Sequence, residues 1–266
     1  MNPARLEALE LVGYRLTDPD LELLSFLAEH RLALPTHVAV LLDTSAAAAT
    51  TRLNKLANAG LLKCQSAFPG EPRWYQITGN GLAVIGSPLP RPRADLRAYE
   101  HDVGVAWLWL AARRGTFGPL QEIISERRLR SLDGSRDPGA EPLAVRLGGF
   151  GPHGREKLHY PDVVLRTADG RRVALELELT PKTRTRLETI LSGYGADPRF
   201  DGVVYLFDRP AVARSVQAAA RRVGISELVR VERVRSTVAG TASIAAPAAE
   251  RAAPRRRRTR APEAVR

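Results

Sequence analysis

The stretch from Tyr160 to Thr180 constrains this chain more than any other. Tyr160-Pro161-Asp162 leads into Val163-Val164-Leu165. Ala168-Asp169-Gly170 follows, then Arg172-Val173-Ala174-Leu175-Glu176-Leu177-Glu178-Leu179-Thr180. Asp-Gly between two apolar runs is a hairpin signal, because both residues tolerate the left-handed backbone of a tight turn. Side chains alternate along a strand, so Val173, Leu175, Leu177 and Leu179 share one face and Ala174, Glu176 and Glu178 the other. Two carboxylates therefore project side by side, and hairpin pairing brings Asp162, at the head of the partner strand, towards them. Two settings suit that face: a solvated strand surface, or a cleft between helix and sheet if helices cover the sheet on both sides.

The flanking sequence predicts such a layered arrangement. Pro181 starts a helix with Lys182, Arg184 and Arg186 in its first turns and Leu187, Ile190, Leu191 and Tyr194 on its apolar side. The three cations read either as a phosphate-binding helix start or as a solvated face. Gly202 to Phe207 is a buried-type strand, a helix follows from about Pro210 to Val223, and a last strand lies near Leu228 to Val234. Upstream, Asp95 can cap a helix to about Ala112. Its Tyr99, Val103, Ala106, Trp107 and Leu110 form a wide apolar face, and Glu100 and His101 sit in its first turns. Pro119 to Ser125 is strand-like. Residues 131–141 and 148–160 read as Gly- and Pro-rich loops around a strand at Leu143 to Leu147. The spacing of His101, His153 and His159 does not suit a zinc site, and they read as structural. Gly148-Gly149-Phe150-Gly151 has no following Lys-Ser/Thr, so no nucleotide loop is expected.

Residues 85–95 carry three prolines, which favours an extended linker and places a domain boundary there. Before it, Thr17-Asp18-Pro19-Asp20 is a helix start of capping-box type. Pro35 opens a second short helix. Asp43-Thr44-Ser45 caps a third, with Leu53 and Leu56 buried and Gly60 as its stop. Leu61 to Cys64 and Trp74 to Ile77 are short strands around the turn-rich tip Phe68-Pro69-Gly70-Glu71-Pro72, and Thr78 and Gly81 open a last helix.

The charge is uneven. The net +11 divides into −1 over residues 1–90, +7 over residues 91–235 and +5 over residues 236–266. Of 40 basic residues 36 are Arg, so some of the excess reflects an Arg-rich composition. The basicity still points to nucleic acid as the first partner to test. The tail from Ser236 is Ala, Pro and Arg, too poor in large apolar side chains to offset chain entropy. Its cluster Arg255, Arg256, Arg257 and Arg258 reads as a counterion-releasing arm for nucleic acid or as a solubilising tail. Cys64 is the only cysteine, which excludes a disulfide framework. Neither a secretory signal nor a membrane span is expected, since the longest apolar stretch, Val103 to Ala112, is far short of the ~20 residues a spanning helix needs. The expectation is a cytoplasmic, soluble protein.

Three helices followed by a two-stranded hairpin, with Arg52-Leu53-Asn54-Lys55-Leu56-Ala57-Asn58-Ala59-Gly60-Leu61-Leu62 leading into it, resemble a winged helix-turn-helix over residues 15–85. The resemblance implies that the third helix enters a DNA major groove, with Ser45, Thr50, Thr51, Arg52, Asn54 and Lys55 as contacts. The other use of such a domain is protein contact or dimerisation. Pro161-Asp162 and Glu176-Leu177-Glu178 resemble the acidic positions of the PD-(D/E)XK nuclease-like fold. That resemblance implies Mg²⁺ held by Asp162, Glu176 and Glu178, with Glu100, or less aptly Glu126, as an extra acid. The pattern has lysine where this chain has Glu178, and Lys182 is the nearby substitute. If Lys182 does not substitute, cleavage fails while metal or DNA binding survives.

The expected fold is thus α+β with two domains. A winged helix occupies 1–86, a linker 87–94, a mixed sheet flanked by helices 95–235 and an Arg-rich tail 236–266. The order of the two domains resembles the plasmid replication-relaxation family of bacterial mobile elements over residues 15–207. This implies a double-stranded DNA partner, with a homodimer or other transfer and replication proteins as further partners. Two functions stand: a DNA-binding accessory protein of a plasmid or other mobile element, and a Mg²⁺-dependent endonuclease or nickase. A winged-helix transcriptional regulator is a third.

Overall fold

The computed structural model describes residues 15–66, 72–137 and 139–234, the side chain of His153 excepted. The Asp20 carboxylate starts helix α1 (Asp18–Glu29) by accepting from the Thr17 backbone N–H at 2.9 Å and its hydroxyl at 2.6 Å. Helix α2 (Pro35–Leu41) follows. Helix α3 (Ala46–Asn58) is capped by Ser45, whose hydroxyl accepts from the Ala48 N–H at 3.1 Å. Gly60 then takes a left-handed backbone, φ 73°, and turns the chain into β1 (Leu62–Gln65). β1 pairs antiparallel with β2 (Trp74–Ile77), and α4 (Gly79–Val84), capped by Thr78, completes this half. Leu23, Leu24, Leu27, Val38, Leu53, Leu56, Leu61 and Ile77 form its core.

That core does not stop at the proline-rich linker. Helix α5 (Tyr99–Arg113) adds Ala106 and Leu110 to it, and packs Tyr99 and Val103 on Leu32, Leu34 and Trp74. The same helix presents Leu108 and Ala112 to the large sheet. The sequence assigns this helix wholly to the second half. Its apolar face is wider than one contact needs, and the excess covers the first half. Polar contacts reinforce the joint. Arg31 bonds Asp102 at 3.2 Å and Glu126 at 2.6 Å, and Ser125 donates to Glu29 at 2.6 Å.

The second half contains β3 (Leu120–Ser125), α6 (Glu126–Gly134), β4 (Val145–Phe150), β5 (Glu156–His159), β6 (Val163–Thr167) and β7 (Arg172–Glu178). It continues with α7 (Arg184–Ala196), β8 (Gly202–Phe207), α8 (Pro210–Arg222) and β9 (Val229–Arg233). The five-stranded sheet runs β3-β6-β7-β8-β9, antiparallel as far as β7 and parallel from there. One face carries Val163, Leu165, Leu175 and Leu177 against α5. The other carries Val164, Ala174, Val203 and Tyr205 against α7 and α8. Gly170, φ 83°, closes the β6–β7 hairpin after a turn in which its N–H donates to the Thr167 carbonyl at 2.9 Å.

Three local expectations change. Residues 148–160 are not all loop, because β4 and β5 form an antiparallel ribbon there. Gly148 and Gly149 take left-handed backbone, φ 74° and 69°, and shift the register without ending the strand. Residues 126–134 form α6, started by Ser125, whose hydroxyl accepts from the Arg128 N–H at 3.1 Å. Helix α7 begins at Arg184 with Thr183 as its cap, so Lys182 stands in the loop ahead of it. The tip at 67–71 and the tail with Arg255, Arg256, Arg257 and Arg258 lie outside the described residues. Among the described residues no helix is long and apolar enough to cross a membrane.

Candidate functional site

Val163 pairs with Leu175, and continuing that register sets Asp162 opposite Glu176. The Leu177 N–H donates to Asp162 Oδ2 at 2.8 Å and fixes the carboxylate there. Glu176 and Glu178 share the Ala174 face, which α7 covers. They are only 3% and 5% exposed, which decides for a helix–sheet cleft over a solvated strand surface.

A buried carboxylate needs a counter-charge, and each of the three has one. His101 on α5 sets Nε2 3.2 Å from Asp162 Oδ2, with Nδ1 3.9 Å from Asp102 Oδ1. His159, the last residue of β5, sets Nε2 2.7 Å from Glu176 Oε1, and the Tyr194 hydroxyl on α7 donates to the same oxygen. Lys182 donates to Glu178 Oε2. Burial disfavours the His101 cation, but the Asp162 and Asp102 carboxylates outweigh it and hold its pKa up to about 10. Burial likewise opposes the His159 charge, and Glu176 outweighs it to raise that pKa. Burial works to raise the Asp162 pKa, but His101, the Leu177 N–H and Lys182 together depress it. Lys182 is lowered by burial, against the attraction of Glu176 and Asp162. Burial, then Glu176, drives the Tyr194 phenol far above its ordinary range, so it stays a neutral donor. Asp162, Glu176 and Glu178 are thus each paired with a basic side chain within one cleft.

The structure brings Asp162, Glu176, Glu178 and Lys182 together and leaves Glu100 out. Glu100 is exposed on α5 and joins no hydrogen bond or ion pair among the described residues, while its neighbours His101 and Asp102 face the cluster. Glu126 is spent on Arg31 and Arg130. The sequence reads His101 and His159 as structural and Tyr194 as apolar packing, and it does not connect them with the carboxylates that the structure sets against them. Two signals were available: His101 adjoins Glu100 on the preceding helix, and His159 stands three residues before Asp162.

The third helix differs from expectation in a similar way. Arg52 binds Asp20 at 2.5 Å, and Asp20 is fully buried, so this arginine anchors α3 to the start of α1. Asn54 accepts from the Tyr75 hydroxyl at 2.8 Å, and Thr50 and Thr51 donate to the carbonyls of Ala46 and Ala47. Ser45 is the cap. Lys55 is exposed without such a partner, and the methyl groups of Ala46, Ala47 and Ala48 are exposed about two turns nearer the helix start. A groove between α7 and α8 is lined by Lys182, Arg184, Leu187, Arg214, Ser215 and Arg222, with no acidic residue in its lining. Glu188, beside it, bonds Arg184 and Arg222, while Arg186 and Arg214 are exposed and unpaired among the described residues.

Mg²⁺, which the nuclease resemblance implies, would meet internal competition here: one oxygen of each carboxylate is engaged, Asp162 Oδ2 by His101 and the Leu177 N–H, Glu176 Oε1 by His159 and Tyr194, and Glu178 Oε2 by Lys182. Among the described residues, no group of three or more His, Cys, Asp and Glu side chains is placed to hold a metal ion. Comparison with family models, curated proteins and solved structures returns no match for the chain.

Proposed function

We propose that this chain is a DNA-binding accessory protein. In this reading a winged helix-turn-helix is joined to a PD-(D/E)XK-like domain that holds the phosphate backbone and keeps its own carboxylates paired with internal basic side chains. The observation that carries the reading is the basic groove between α7 and α8, which opens from Lys182 beside the carboxylates and has no acid in its lining. A duplex docked there releases counterions from its phosphates, a grip that depends on charge and not on sequence. The order of three helices, a hairpin and a short helix supports the winged-helix assignment. The Asp162–Glu176 pairing across β6 and β7, and the mixed sheet with helices on both faces, support the nuclease-like assignment. Service to a plasmid or other mobile element rests on the resemblance in residues 15–207 alone. Reading by α3 falls to Lys55 and the alanine methyls, because Ser45, Thr50, Thr51, Arg52 and Asn54 are engaged within the fold. The Arg255–Arg258 cluster adds charge to the same grip.

The Asp162–Glu176 pair also favours a second reading, an endonuclease, with Lys182 standing in for the lysine that Glu178 replaces. It requires the three internal cations to yield the carboxylates. The test of the first reading is anisotropy of a labelled duplex with the full chain across a salt series. Affinity should fall steeply with salt, and Arg184→Glu with Arg214→Glu, both in the groove, should weaken it for every sequence tried. Binding indifferent to salt and to both changes would sink the proposal.

A further inference from the structure

Two guanidinium groups from different helices meet at the α7–α8 groove. Arg184 is the first residue of α7 and Arg222 the last of α8. Both donate their Nε to the same oxygen, Glu188 Oε1, Arg184 at 3.0 Å. Hydrogen bonds from Arg222 and then Arg184 lower the Glu188 pKa and keep it ionised. One carboxylate offsets one of the two cations, so a positive charge is left over.

A guanidinium group carries its N–H donors in a rigid planar fork. With Nε spent on Glu188, the edge formed by the two Nη atoms is open on each arginine, and neither edge bonds anything among the described residues. Both arginines line the groove, whereas Glu188 lines the adjoining depression with Thr185, Thr189 and Ser192. The carboxylate therefore stands behind the two forks, and the groove lies in front of them. Lys182 and Arg214 line the same groove, and the first turn of α7 holds no acid. The positive end of the helix dipole falls on that turn, where it disfavours cations and favours a bound anion.

We propose that Arg184 and Arg222, held by Glu188, form a clamp for one phosphate of the DNA backbone. The inference rests on the DNA-binding reading above and deepens it, because the grip at this point then depends on the guanidinium fork as well as on charge. A phosphate sets its oxygens tetrahedrally and can accept from two forks arriving from two helices. A carboxylate offers one planar edge, which a single fork fills. Glu188 is the positioning residue: without it the two cations repel each other and part.

The test follows anisotropy of a labelled duplex with the full chain across a salt series. The duplex ends carry hydroxyl groups, so that only backbone phosphates are offered. Arg222→Lys keeps the charge and removes the fork, and should lower affinity on the order of 10-fold. Arg222 is exposed at the end of α8, so the urea unfolding curve should be unchanged. Glu188→Gln and Glu188→Met carry the same charge in nearly the same volume, but only the first offers an oxygen to the two Nε groups. Glu188→Gln should therefore bind the duplex more tightly than Glu188→Met. Wild-type affinity in Arg222→Lys, or equal affinity of the two Glu188 variants, overturns the clamp and leaves a grip by charge alone standing. If the wild-type chain does not bind the duplex, the DNA-binding reading fails and the clamp fails with it.

Discussion

Replacing His101 with Gln removes the cation that faces Asp162 and Asp102 but keeps a hydrogen-bond donor in the same volume. Asp162 then sits in the cleft with only the Leu177 N–H and the more distant Lys182 charge to hold it. The rise in the His101 pKa from 6.5 to about 10, at roughly 1.4 kcal/mol per tenfold in proton affinity, sets a ceiling of roughly 5 kcal/mol on its contribution. A third of the imidazole is open to water, and screening reduces the expected loss to about 2–3 kcal/mol. The sign with pH follows from linkage. A group whose pKa is higher in the folded state stabilises fully below its unfolded value, and that stabilisation is lost as pH rises through the folded value. Wild-type stability should therefore decline between pH 6.5 and about 10. His159, raised by Glu176, contributes in the same direction. The diagnostic quantity is thus the gap between wild type and His101→Gln in urea unfolding at about pH 6, 8 and 9.5, points that span the interval between the two His101 values. The gap should be widest at the acidic end and close towards the alkaline end, and His101→Gln combined with Asp162→Asn should recover some of the loss. A gap that is absent at the acidic end, or that does not change with pH, would refute the reasoning.

Three further outcomes follow. Arg52→Ala should cost about 2–4 kcal/mol, since it takes the guanidinium away from the buried Asp20 that caps α1, and Asp20→Asn should relieve some of that in urea unfolding. Lys55→Ala should leave stability unchanged but reduce the salt slope of duplex binding by about 1, as for a single phosphate contact. Tyr194→Phe should cost about 1–3 kcal/mol by removing a buried donor from Glu176, read as a lowered urea midpoint with an unchanged slope.

The sheet was legible in the sequence because two-residue alternation and Asp169-Gly170 act over neighbouring residues. They placed Glu176 and Glu178 on one face, with Asp162 beside them. What covers that face was not legible. Burial of Glu176 depends on Tyr194 from a helix 18 residues on and on His159 from a ribbon that glycines mask as loop. Arg52 misled for a similar reason. An arginine on a reading helix suggests base contact, but here Asp20, 32 residues away, claims it. The double role of α5 was hidden too, since an apolar face wide enough for two cores looks the same in sequence as one wide enough for a single core.

A protein that holds DNA without cutting it must bind plasmid and leave its strands intact. The most direct measurement incubates supercoiled plasmid with the full chain and Mg²⁺ or Mn²⁺, following binding by gel shift and strand scission by the relaxed form. The plasmid should be shifted and, after the protein is stripped away, recovered supercoiled. Metal-dependent relaxed or linear product, absent with both Asp162→Ala and Glu176→Ala, would contradict it and establish the nuclease.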